Sequence, residues 1–253
     1  MSDDACRDVP AAEPPDAGAA SAPPGLVSAV VNLVDTGPVL LGAYTVAELT
    51  AVDAIVDFLE TRPSNEVIAE AVRSLAARQL LLAGDTGEEV RVQGDLGIAV
   101  AFQQRARKVL DARTTGSGPG EPWRILLLPQ PERICLMVRI DALGVHQMGL
   151  YKIEEALDTL TEWLPRGSSA DPDEAMDTEA VLAASERSAL VTVTDYTAQG
   201  SAETAGSSRD LVLARSGGRL HVLARDLDDR EKLVPDPGAG KDDVRERLVG
   251  LLT

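Results

Sequence analysis

Aromatic side chains are scarce in this chain: two Trp, three Tyr and two Phe make up 3% of 253 residues. The hydrophobic cores must therefore be built from Leu, Val, Ile and Ala, and the total apolar content is an ordinary 44%. No stretch reaches the roughly 18 consecutive apolar residues that a membrane span needs. The first ten residues, MSDDACRDVP, are acidic where a signal peptide would be basic. We therefore expect a cytoplasmic protein with no membrane partner.

Cysteine and positive charge are also in short supply. Cys6 lies in a Pro- and Ala-rich segment and Cys135 lies in an apolar strand pattern, so we predict no structural disulfide. The 24 Lys and Arg residues face 41 Asp and Glu residues, which gives a formal net charge of −17. A chain this acidic is repelled by phosphate backbones and by anionic membranes, so nonspecific nucleic-acid binding is disfavoured.

Catalytic and cofactor-binding motifs are missing as well. The segment 238–241 (GAGK) resembles the end of a phosphate-binding loop, but that motif needs Gly where Pro235 stands and Ser or Thr where Asp242 stands. His146 and His221 lie in strand patterns without Cys or carboxylate neighbours at metal-ligand spacing. We predict no catalytic residues, no cofactor and no metal site, and we predict that the protein is not an enzyme.

What the sequence does contain predicts an α+β fold in four parts. Residues 1–25 are rich in Ala, Pro, Asp and Glu, which predicts a disordered tail. A helical, winged-helix-like unit is expected over 26–113. The Gly/Pro/Ser-rich segment 114–122 is the expected linker. A β-rich α+β unit over 123–253 completes the chain, with an antiparallel sheet and flanking helices.

The helical unit begins with two capped helices. Thr45 and Glu48 match a capping box at the start of a helix predicted over 45–59. Ser64 is placed to cap a second helix that continues to Gln79. The apolar run 26–34, which precedes both, fits either a short helix or a strand.

A hairpin and a third helix complete this unit. The turn Gly84-Asp85-Thr86-Gly87 lies between the apolar residues 80–82 and the segment EEVRV (88–92), which predicts the hairpin. Asp95 is expected to cap a helix over 97–112, in which Ile98 and Phe102 begin an inward-facing stripe.

The second unit alternates strand and helix patterns. Residues 197–208 are predicted to be a mobile excursion. Similar element orders over 133–164 and 211–252 suggest an internal pseudo-repeat. The sequence predicts strands over 124–128, 133–140, 145–153, 190–196 and 232–234, a hairpin over 209–225, and helices over 154–164, 178–187 and 242–252.

Two helices followed by a hairpin also form the layout of a winged-helix DNA reader. Helices that enter a groove need clustered Arg or Lys. The expected recognition helix, 64–80, carries two acidic and two basic side chains, and residues 45–114 contain eight basic and eleven acidic side chains. We therefore predict no nucleic-acid partner. A basic stripe on the folded surface near Arg73, Arg78, Arg105 and Arg107 would favour the alternative of a winged-helix transcriptional regulator with a C-terminal sensing domain.

The residues AVRSLAARQLLL (71–82), followed by 92–96 and an Arg-rich amphipathic helix over 99–110, resemble the helical half of the EspG-type chaperones of type VII secretion. The resemblance covers mainly residues 45–113; the rest of the chain matches only in the order of its elements. It implies a cytosolic α+β protein with an antiparallel sheet flanked by helical bundles and rough two-fold symmetry. Such proteins bind secretion substrates and keep the apolar tips of those substrates soluble. No substrate-contacting residue transfers to this chain.

We therefore expect a non-catalytic protein-binding protein whose partner is another polypeptide, with an exposed apolar sheet surface as its platform. The alternative for the same strands is an ordinary two-sided core. An enzyme with a site assembled from scattered residues is a third possibility, which a deep pocket with converging polar groups would indicate. The candidate partner-binding residues are Ile134, Leu136, Val138, Ile140, Leu211, Leu213, Leu220 and Val222.

Overall fold

The computed structural model of the protein describes residues 23–54, 62–83, 90–170, 177–199, 202–226, 232–236 and 244–252. These residues form an α+β fold with one large, mostly antiparallel sheet, as the sequence predicts. None of the described helices is long and apolar enough to cross a bilayer. The helices are α1 Pro24–Thr36, α2 Val46–Ala51, α3 Asn65–Ala77, α4 Gly94–Arg105, α5 Ile153–Trp163, α6 Thr178–Ala183 and α7 Val244–Leu252.

Ten strands form the large sheet, in the order β1-β7-β6-β5-β4-β9-β10-β11-β12, with β8 pairing in parallel with β11. Strands β2 and β3 form a separate hairpin. The strands are β1 Val39–Thr45, β2 Leu81–Ala83, β3 Val90–Val92, β4 Lys108–Thr114, β5 Arg124–Pro129, β6 Ile134–Ile140, β7 Val145–Lys152, β8 Ser168–Ser169, β9 Arg187–Gln199, β10 Ala202–Ser216, β11 Arg219–Arg225 and β12 Leu233–Pro235.

The sheet consists of two meanders joined at its centre. Strands β4 to β7 run in sequence and are followed by helix α5, and strands β9 to β12 run in sequence and are followed by helix α7. The first strands of the two meanders, β4 and β9, pair antiparallel. The element order is therefore alike in both halves, while the pseudo-repeat itself stays a prediction. Strands from both sides of the predicted linker 114–122 belong to the one sheet, because β4 pairs with β5 and β1 pairs with β7.

Both faces of the sheet are covered by helices, so neighbouring residues of a strand lie in different cores. In β5, Leu126 and Leu128 belong to the core shared with α1 to α4, whereas Ile125 and Leu127 belong to the core shared with α5 and α7. This two-sided burial explains why the central strands are continuous apolar runs instead of alternating ones.

Several local predictions are confirmed. Thr45 and Glu48 make the reciprocal hydrogen bonds of a capping box at the start of α2, and the Ser64 hydroxyl accepts from the Val67 amide at the start of α3. The ambiguous run 26–34 is helical, within α1. The strands predicted at 124–128, 133–140 and 145–153 and the helix at 154–164 are present within two residues.

Helix boundaries account for most of the corrections. The helix predicted over 45–59 ends at Ala51, and the one predicted over 97–112 ends at Arg105 and gives way to β4. Asp95 does not cap this helix: it lies in the first turn, and Gln93 occupies the N-cap. Residues 202–208, predicted to be part of a mobile excursion, extend β10.

Other predictions fall outside the described residues. They concern most of the predicted tail 1–25, the part of the first helix beyond Ala54, the tip of the β2–β3 hairpin and the glycine-rich segment 238–241. Strand β1 was not predicted, although it forms one edge of the sheet.

Helices α2 and α3 end in the same motif, and neither uses glycine. The amides of Asp53 and Ala54 donate to the carbonyls of Thr50 and Leu49, while those of Gln79 and Leu80 donate to the carbonyls of Ala76 and Leu75. These are the two reversed hydrogen bonds of a Schellman motif. The motif forces φ values of 55° on Asp53 and 58° on Gln79, in a region where side chains are strained.

A Gln79→Gly substitution should therefore stabilise the protein by about 1 kcal/mol, because glycine adopts positive φ without a Cβ clash. The measurement is urea-induced unfolding of both proteins. Gln79→Ala is the matched control and should give no gain, since alanine keeps the strain. Equal stabilities for the Gly and Ala variants would contradict this assignment.

The buried imidazole of His146 should make stability depend on pH. Its Nδ1 lies 2.9 Å from the Gly144 carbonyl oxygen, and only 3% of the residue is exposed. Burial lowers the pKa of His146 below its usual 6.5, with Arg124 acting in the same direction and the Gly144 carbonyl and Asp141 opposing it. The unfolded chain thus binds a proton more readily than the folded protein below pH 6.5.

The free energy of unfolding should therefore be highest above pH 6.5. It should decline as the pH falls from 6.5 towards the lower pKa that His146 has in the folded state. Denaturant midpoints at pH 7.5, 6.5 and 5.5 measure this decline. His146→Gln should decline less over the same range. If the His146→Gln variant loses stability as steeply as the wild-type protein, other titratable groups cause the decline.

Candidate functional site

The eight candidate partner-binding residues are core residues. Four of them, Ile134, Leu136, Val138 and Ile140 in β6, are at most 4% exposed and lie under helices α1 to α4. Leu211, Leu213 and Val222 are also buried, in the core under α5 and α7, and Leu220 packs against that core. The predicted exposed platform is corrected accordingly: the protein's own helices cover these side chains, as in the two-sided alternative.

Residues 62–83 and 90–105 comprise α3, the β2–β3 hairpin and α4, and we name them the helix-wing module. A buried carboxylate anchors this module. Glu48 of α2 is only 6% exposed. One of its oxygens accepts from the Thr45 amide at 2.9 Å. The other accepts from the Ser74 hydroxyl at 3.0 Å and from an Arg78 nitrogen at 2.9 Å. A buried carboxylate is stable only when it is paired and hydrogen-bonded, which fixes α3 against α2.

Tyr44, at the end of β1, extends this anchor into the sheet. Its hydroxyl donates to the Leu41 carbonyl at 2.7 Å, and the Arg78 guanidinium lies 5.2 Å from its ring centre. Burial raises the pKa of the Tyr44 hydroxyl, and Arg78 partly offsets that effect. The aromatic ring therefore serves as packing surface for the guanidinium and links β1 to α3.

The arginines that could form a cationic stripe are engaged within the chain. Arg73 pairs with Glu70, Arg78 pairs with Glu48, and Arg105 pairs with Glu132. Arg107 donates to the carbonyls of residues 104 and 106. Arg78 and Arg105 are therefore paired with carboxylates that are at most 30% exposed, whereas Arg73 pairs with Glu70 on the open surface. These four arginines do not form an uncompensated cationic stripe.

Apolar side chains are exposed on the helix-wing module instead. Val67 and Val72 on α3 are 51% and 37% exposed, and Leu82 and Val90 on the hairpin are 46% and 61% exposed. These are four of the seven large apolar residues that are exposed in the described part of the chain; the others are Leu33, Leu40 and Leu143. Single exposed apolar residues are ordinary, so these four are candidate contacts because they lie in one small module.

Two cavities lined by described residues offer little that resembles a catalytic centre. The larger, of about 560 Å³, runs along α1 past Val27 and Val31 and ends at the Arg105–Glu132 ion pair. A smaller one, of about 330 Å³, lies on the sheet beside Trp123, with Leu190 and Val212. No group of three or more His, Cys, Asp or Glu residues in the described ranges could hold a metal ion.

The buried thiol of Cys135 is not a nucleophile at neutral pH. Burial raises its pKa to about 12, so the thiolate that would react is scarcely populated. Its packing among the apolar side chains beneath α5 fits a structural role.

No family model matches the chain, and no curated protein matches it either. The resemblance to EspG-type chaperones therefore remains a prediction made from the residues.

Replacing the carboxylate of Glu48 tests the anchor of the helix-wing module. Glu48→Ala leaves the Thr45 amide, the Ser74 hydroxyl and Arg78 without their acceptor, so the free energy of unfolding should fall by about 2 kcal/mol. Glu66→Ala, at an exposed position in the first turn of α3, is the matched control and should change it by less than about 0.5 kcal/mol. Urea unfolding measures both, and equal losses would contradict the anchor.

Proposed function

We propose that the protein is a non-catalytic binding protein that shields an apolar segment of a partner polypeptide, similar in role to the EspG-type secretion chaperones. The observation that carries the proposal is the surface of the helix-wing module, where apolar side chains are exposed while the nearby arginines are held in ion pairs. We place this activity in the cytosol, as the resemblance to EspG-type chaperones implies.

The exposed side chains can supply useful binding energy. Burying apolar surface contributes about 25 cal/mol per Å², or about 1.5–3 kcal/mol for a Val or Leu side chain taken from full exposure. Four half-exposed side chains therefore offer several kcal/mol before the cost of association. That range suits a reversible chaperone, which must release its partner.

The charges of the module weigh against the alternative of a DNA-binding regulator. Specific duplex binding depends on Lys and Arg that contact phosphates and base edges. On α3, Arg73 and Arg78 contact Glu70 and Glu48. Binding a duplex through these arginines would require breaking both ion pairs, one of which involves the buried Glu48.

The proposal predicts that charges placed on the module abolish polypeptide binding without unfolding the protein. A double variant, Val72→Asp and Leu82→Asp, should lose the ability to suppress aggregation of an unfolded apolar client, measured by light scattering. Both positions are exposed, so the unfolding midpoint should shift little. A matched control, Leu143→Asp, adds a charge at an 88% exposed position in the β6–β7 turn and should keep activity.

Two outcomes would contradict the proposal. One is a wild-type protein that fails to suppress aggregation or to bind any unfolded apolar client. The other is equal activity of the double variant and the Leu143→Asp control. Retarded migration of duplex DNA at physiological salt would instead support the regulator.

A further inference from the structure

The two edges of the large sheet are built differently. One edge consists of β12, which has three residues and ends in Pro235, and β8, which has two residues. Short strands and proline are devices that prevent a sheet edge from pairing with another chain. The other edge is β1, with seven residues and neither proline nor charge in the sequence VLLGAYT. Within the described residues β1 pairs only with β7, so no strand lies on its outer side. The Thr45 amide and the Leu41 carbonyl already bond to the side chains of Glu48 and Tyr44, so an added strand would bond to the other outer backbone groups of β1.

The side chain of Leu40 also lacks a neighbour on this edge. Leu40 is 73% exposed, although it lies in a strand of the main sheet. Its cross-strand partner is Gly149, which has no side chain. The ring of Tyr151 lies over Gly149, so a Cβ at this position would be 2.9 Å from that ring. The Tyr151 ring already occupies the space over Gly149, and a strand added on the outer side of β1 would place a further side chain beside Leu40.

We propose that the β1 edge binds an extended, uncharged segment of the partner polypeptide as an additional strand of the sheet. This inference rests on the proposed function and adds a conformation and a chemistry for the partner. Backbone hydrogen bonds to β1 supply the binding, and an apolar side chain of the added strand packs against Leu40. A charged strand would lose hydration without gaining a counter-ion, because no residue of β1 is charged.

The bulge in β1 favours a separate peptide over a second copy of this protein. The register between β1 and β7 shifts between Leu40 and Gly42. A bulge disrupts a ladder of hydrogen bonds. Two copies of β1 paired about a two-fold axis would bring two such bulges into one seven-residue ladder, whereas a regular peptide strand adds none.

The test uses a fluorescent, acetylated and amidated octapeptide of alternating valine and threonine. Two control peptides have the same side chains but carry N-methyl groups on all valines or on all threonines. Because alternate residues present their N–H groups on opposite edges of a strand, one of the two controls should bind about tenfold or more weakly and the other should bind nearly unchanged. Hydrogen exchange of amides 39–45 should slow when the unmethylated peptide is added.

Protein variants complete the test. Leu40→Lys should weaken binding of the unmethylated peptide about tenfold or more, since lysine on an edge strand opposes pairing with another strand. Leu143→Lys, at a more exposed turn position, should not.

Three results would overturn the inference. Equal binding of both N-methylated peptides, or unchanged exchange of amides 39–45, would exclude strand addition. Self-association of the free protein that Leu40→Lys abolishes would assign the edge to a second copy. Loss of binding in the Val72→Asp, Leu82→Asp variant but not in Leu40→Lys would overturn strand addition and leave the proposed function standing.

Discussion

The antiparallel pairing of β4 with β9 determines the rest of the architecture. It runs from Lys108 opposite Asp195 to Thr114 opposite Ala189 and joins two meanders into one sheet. A sheet of this width is apolar on both faces and must be covered on both, which the helices before β4 do on one side and α5 and α7 do on the other. The last strand of the second meander, β12, lies at one edge of the sheet, and β1, which pairs with the last strand of the first meander, lies at the other. One edge consists of short strands, and the other is the seven-residue β1, which has no outer strand within the described part of the chain.

The coverage of both sheet faces by helices limits where a partner can bind. Because both faces of the sheet are occupied by the protein's own helices, a partner must bind to the helices themselves or to an edge strand. The helix-wing module is held to the sheet through Glu48, Arg78 and Tyr44, and it exposes apolar side chains beyond that anchor. Tyr44 and Leu40 both belong to β1, so the anchor of the module and the open edge share one strand.

The sequence predicts the fold class and most strands, because buried runs and capping residues are local signals. It misplaces the end of α2 because Asp53 adopts positive φ where glycine would have marked the stop. It extends the third helix to Ala112 because the helical spacing of Phe102, Ala106 and Val109 happens to continue into a strand buried on both faces. The candidate site could not be predicted: Glu48 meets Ser74 and Arg78 only across 26 and 30 residues of chain.

The most direct test of polypeptide binding by the helix-wing module is photo-crosslinking in cells of the native host, with a photoreactive amino acid placed at Val72, Leu82 or Leu143. The account predicts that positions 72 and 82 form adducts with a defined polypeptide that survive nuclease treatment, while position 143 does not. Adducts with nucleic acid at positions 72 and 82, or the same polypeptide adduct from all three positions, would contradict it.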